Sequence, residues 1–125
     1  MTQEDKQILL TDLCARLPYG TIVLTGYDQE ARYWNEQKFL ETPLTSLVYE
    51  AFSKNLITFC KPYLRSMSSM TEEEENEYRA INCYEGLFPR NEEALNYVLE
   101  HHFDFRGLIE KGLALEAPKD MYKTE

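Results

Sequence analysis

The chain has 125 residues, 43% hydrophobic and 13% aromatic, with a formal net charge of −9. That length and apolar content suit one folded domain with its own core, and argue against a disordered chain or one that needs disulfide or metal staples. The charge is lopsided: residues 1–62 carry eight acidic against six basic side chains, and residues 63–125 fourteen against seven. An acidic half repels phosphate backbones, so direct nucleic-acid binding is not expected.

The opening stretch, MTQEDKQILL, is acidic where a signal peptide would be basic, and no cleavage pattern follows. No apolar run approaches the roughly 20 residues that span a bilayer. Three widely spaced cysteines, Cys14, Cys60 and Cys83, fit a reducing compartment better than a disulfide framework. The expectation is a cytoplasmic protein without membrane contact.

Residues 2–17 predict a helix. Thr2 is placed to cap it, Glu4 and Asp5 suit the positive end of the dipole, and Leu9, Leu10, Leu13, Cys14 and Leu17 make one apolar stripe. Pro18 stops it, and PYG reads as a turn. TIVLTGY (21–27) is rich in β-branched residues and predicts a buried strand. Residues 27–30 read as a turn into a second strand, ARYWNEQKF (31–39). Residues 44–52 fit helix by the spacing of Leu44, Leu47, Val48, Ala51 and Phe52, and fit strand by composition. Leu56 to Cys60 suit a strand, with Pro62 placing its end at a sheet edge or terminus.

Within SMSSMTEEEENEYRA (66–80), Thr71 and Glu74 have capping-box spacing and the glutamates favour the first turn of a helix. Its apolar face is thin, mainly Tyr78 and Ile81. After a loop through GLFPR, Asn91 is a good N-cap for a helix whose face carries Ala94, Leu95, Val98, Leu99 and His102. The C-terminal stretch, with two glycines and a proline, predicts turns anchored by Phe103, Phe105, Leu108 and Ile109. Together these elements predict a single α+β domain over residues 1–125: an N-terminal helix, a small antiparallel sheet and C-terminal helices.

Three phrases, LLTDLCARLPYG (9–20), KPYLRSMSSMTEEE (61–74) and HHFDFRGLIEKGLALEAPKDMY (101–122), resemble a family of small uncharacterised proteins. These occur in gut Bacteroidetes genomes, often with phages or other mobile elements. The resemblance implies a bacterial cytosolic protein of phage or mobile-element origin. It implies no activity and assigns no functional residues.

The adjacent histidines, His101 and His102, invite a metal or catalytic reading. Neighbours on a helix point about 100° apart, so both cannot face one small ion while the helix continues. Two-histidine helical sites use i, i+4 spacing. A zinc site from His101, Asp104 and a distant ligand lacks matching cysteine pairs. Histidines at a helix C-terminus are well explained by the dipole and the last carbonyls, with Asp104 capping the next turn and Arg106 pairing with a carboxylate. Cys14 lies in the apolar stripe and is a poor nucleophile; Cys60 and Cys83 stay open but carry no local signature. The acidic run TEEEENE reads as a solvated face rather than a pair of catalytic carboxyls across a cleft. No phosphate-cradling glycine motif is present.

No catalytic, cofactor-binding or metal-ligating residue and no cofactor is therefore expected. The leading expectation is a small non-enzymatic protein that works through an unknown protein partner, with Tyr33, Trp34, Tyr49 and Tyr63 as candidate surface anchors. Two alternatives stand beside it: an enzyme with a site built from His101 or His102 and distant residues, and an acidic decoy that mimics nucleic acid.

Overall fold

The structure is a computed structural model that describes residues 2–26, 40–83, 86, 88–118 and 120–122. Among these residues lie four α-helices and five short strands, with both antiparallel and parallel pairings, an α+β arrangement. The chain divides into two compact units, Met1–Tyr63 and Leu64–Glu125. The turn expected at 27–30 and the strand at 31–39, including Tyr33 and Trp34, lie outside the described residues.

In the first unit, helix α1 (Gln3–Arg16) starts as expected. The Thr2 hydroxyl oxygen accepts the Asp5 N–H at 3.0 Å, and Glu4 and Asp5 occupy the first turn. Pro18 falls in a short 3-10 turn, Leu17–Tyr19, and Gly20 takes φ +67°, which glycine adopts without a Cβ clash. The buried face differs from the expected stripe. It consists of Leu9, Asp12, Leu13 and Arg16, while Cys14 is exposed. Asp12 and Arg16 sit one turn apart, so the carboxylate takes the Arg16 Nε–H at 2.7 Å and both side chains are fully buried as a pair.

Strand β1 (Ile22–Gly26) pairs antiparallel with β2 (Leu40–Pro43) and with the start of β3 (Phe59–Ser66). Val23 lies opposite Thr42 and Pro62. β3 runs past Pro62 rather than ending near it. The missing N–H costs one possible ladder bond, and the strand is held further on, where the Arg65 N–H donates to His102 O and Leu64 O accepts the Ala117 N–H. Residues 44–52 resolve as helix: Thr45 caps α2 (Ser46–Ser53) by accepting the Val48 N–H. Phe52 faces inward and carries Lys6 over its ring, 4.9 Å from the centroid.

In the second unit, α3 (Glu72–Asn82) carries the full capping box: the Thr71 hydroxyl accepts the Glu74 N–H, and the Glu74 carboxylate accepts the Thr71 N–H. Helix α4 (Glu92–Glu100) is capped by Asn91, whose Oδ1 accepts the Ala94 N–H at 2.8 Å. The loop between them is organised by buried Asn82. Its Nδ2 donates to Phe88 O and its Oδ1 accepts the Arg90 N–H. Tyr78, Ala94, Tyr97, Val98 and Phe103 form the core, flanked by Met67, Met70, Ile81, Leu95 and Phe105. Two short strands follow, β4 (Phe103–Asp104), parallel to the end of β3, and β5 (Leu115–Glu116). The parallel β4 pairing makes the sheet mixed rather than antiparallel throughout. The turns between β4 and β5 hang on Asp104, whose two carboxylate oxygens accept the Leu108 and Ile109 N–H groups at 2.9 Å each.

Candidate functional site

The two histidines do not converge. α4 ends at Glu100; His101 is its C-cap, and its ring lies over Tyr97, one turn back, with centroids 4.2 Å apart. His102 adopts φ +62°, a left-handed conformation that ends the helix. It is buried as the apolar spacing suggests, yet it is off the helix, stacked on Tyr122 with centroids 3.8 Å apart and planes at 19°. Asp104 turns away from both to cap the next turn, and Arg106 lies over the Phe105 ring. Among the described residues, no group of three or more His, Cys, Asp or Glu side chains is arranged to hold a metal ion.

The three cysteines are free thiols that differ in exposure. Cys60 is fully buried in β3, and burial pushes its thiol up to about 12, which disfavours the nucleophilic thiolate. Cys14 and Cys83 are exposed on different helices, Cys83 as the left-handed C-cap of α3.

What the second unit does assemble is a groove of about 630 Å³, lined by Arg65, Ser66, Ser69, Thr71, Glu74, Glu116, Ala117, Pro118, Asp120 and Tyr122. Three local features build it. The end of β3 and the 3-10 turn Met67–Ser69 form one wall, with the Ser69 hydroxyl donating to Ser66 O at 2.7 Å. The first turn of α3 contributes Thr71 and Glu74. The end of β5 and the segment after it complete the lining, and there Pro118 O accepts the Met121 N–H in a tight turn.

Arg65 and Glu74 both line the groove and satisfy one another. Two guanidinium N–H groups donate to the two carboxylate oxygens at 2.7 and 2.8 Å. Arg65 also stacks its guanidinium over Phe103, 4.3 Å from the centroid. The Arg65 hydrogen bonds, with help from Thr71, hold the Glu74 carboxyl down to about 2 against the opposing effect of burial. His101 Nδ1 stands 3.8 Å from Glu74 Oε2, and neither histidine is among the groove-lining residues. Glu116 and Asp120 are exposed and have no ion-pair partner among the described residues.

The acidic run therefore has divided roles that spacing alone does not reveal. Glu74 holds Arg65, Glu75 holds Arg79 on the surface, and Glu72, Glu73 and Glu77 are exposed to solvent. Of the anchor candidates, Tyr49 and Tyr63 are half-buried. Among the described residues, the exposed large apolar side chains are Leu40, Leu47, Leu56 and Phe88, at 57 to 77%. The groove itself is illegible in the sequence, because its lining comes from two stretches, Arg65 to Glu74 and Glu116 to Tyr122, 42 positions apart. Among the described residues, no helix is long and apolar enough to cross a membrane. Comparison with protein families, curated proteins and solved structures finds no match to this chain.

Proposed function

We propose that this protein acts by binding a protein partner, not by catalysing a reaction. The observation that carries the reading is how the groove uses its polar groups. Arg65, Glu74 and Thr71, which resemble reactive machinery in composition, are spent on one another and on the cap of α3. Neither histidine is among the groove-lining residues, so neither presents a nitrogen to a ligand held there. A general base or nucleophile needs a free lone pair facing a substrate, whereas a docking surface needs only shape, apolar contact and complementary charge. The groove supplies these through Ala117, Pro118, Tyr122 and the carboxylates of Glu116 and Asp120, which have no ion-pair partner among the described residues. The phrase-level resemblance to small proteins of gut Bacteroidetes and their mobile elements supports a bacterial cytoplasm as the setting.

The test is a tagged pull-down from lysate of such a bacterium, read by mass spectrometry, with wild type and Ala117→Trp in parallel. Ala117 is half-buried in the groove wall, so an indole there fills the space. A stoichiometric partner captured by wild type and lost by Ala117→Trp, at unchanged melting temperature, is expected. A bait that returns no stoichiometric partner would overturn the reading.

A further inference from the structure

We propose that the groove docks a basic, extended peptide segment of the partner, seating a lysine or arginine stem against Tyr122 with its charged end at Glu116 and Asp120. The proposal rests on the protein-binding reading and goes further by naming the chemistry of the ligand.

Charge complementarity is the first argument. Arg65 and Glu74 neutralise each other through their two-pronged contact. That leaves Glu116 and Asp120 as the uncompensated charges of the described lining; Lys119, between them in sequence, is outside the described residues. A cation gains at such a rim, and an anion pays for approaching it.

Shape and polarity narrow the cation. A volume of about 630 Å³ falls in the range of sites that take a multi-part ligand rather than a single ammonium group. The wall beside the carboxylates is apolar: Ala117, Pro118 and the Tyr122 ring. Lysine and arginine lay their methylene stems on such surface while the charged head stays with carboxylates and water. A cation near an aromatic ring gains further attraction. Tyr122 is held in place for this by its stack on His102, so little ordering is left for the moment of binding.

Fluorescence anisotropy of the full chain with labelled hexalysine and hexaglutamate peptides tests the proposal, with spermine as competitor. Saturable hexalysine binding is expected, absent for hexaglutamate and weakening as salt rises. The Glu116→Gln/Asp120→Asn variant is expected to weaken it about tenfold, the sum of two exposed ion pairs. Glu93→Gln/Glu100→Gln, an equal charge change on exposed positions of α4, is expected to leave it nearly unchanged. Equal loss in both variants would mean diffuse attraction and overturn the proposal. So would spermine binding as tightly as hexalysine, which would mark a small-cation site. If hexalysine does not bind while Ala117→Trp still loses the captured partner, the binding function stands and this inference falls.

Discussion

Arg65 and Glu74 meet through two parallel hydrogen bonds, tying the end of β3 to the first turn of α3 in the groove lining. Glu74 simultaneously closes the capping box with Thr71. One carboxylate therefore serves helix initiation and tertiary docking together, and its loss should be felt by both.

Glu74→Gln is expected to cost about 2 kcal/mol, the scale of a charge-assisted pair plus a weakened cap. Urea midpoints at neutral pH measure it. The pH dependence has a definite sign. The folded-state pKa, about 2, lies below its ordinary value of 4.5, so the contribution is fully present above about pH 5 and fades as pH falls towards 2. Wild type should lose stability more steeply than Glu74→Gln across that window. Parallel curves would show that the pair contributes nothing.

The two histidines should behave differently when removed. His102 is 9% exposed and stacked on Tyr122, whereas His101 has 37% of its side chain in solvent. His102→Ala is expected to lower the melting temperature more than His101→Ala. Because His102 holds φ +62°, His102→Gly should be milder than His102→Ala, the reverse of the usual order. Calorimetry on the three variants decides both comparisons, and a larger loss for His101→Ala would contradict the packing described.

Cys83 ends α3 at φ +59° with its side chain exposed. Only a weak thiol contact to Ala80 O, 3.4 Å, is at stake there. Cys83→Gly is therefore expected to stabilise the protein by about 0.5–1 kcal/mol. Denaturant midpoints measure the gain, and a loss would show that the thiol contact outweighs the backbone strain.

The Asp12–Arg16 pair in α1 has no solvent exposure on either side chain. Asp12→Ala leaves a buried guanidinium without that carboxylate and is expected to cost about 3–5 kcal/mol. The double change Asp12→Leu/Arg16→Met should be milder than Asp12→Ala alone, since no buried charge remains. A double variant as unstable as the single would mean that packing, not charge, governs the site.

Much of the chain was legible from sequence because its signals are local. Thr2, Thr71, Glu74 and Asn91 cap helices by bonding three residues along the chain, and that spacing is visible in one dimension. The β-branched run at β1, the turn at Pro18 and Gly20, and the anchoring of the C-terminal turns by Phe103 and Leu108 follow from equally short-range preferences. The tertiary structure decided the rest. Apolar spacing put Cys14 inside; the fold rotates α1 so that Asp12 and Arg16 are buried instead, since two neutralising charges can replace apolar surface only when paired. It carries β3 beyond Pro62, because backbone partners from distant segments hold the strand there. It also sends the two histidines to different rings and assembles the groove from β3, α3 and the segment after β5. The groove and the His102–Tyr122 stack depend on closing loops of about 20 to 40 residues, and no short window of sequence contains both sides of either.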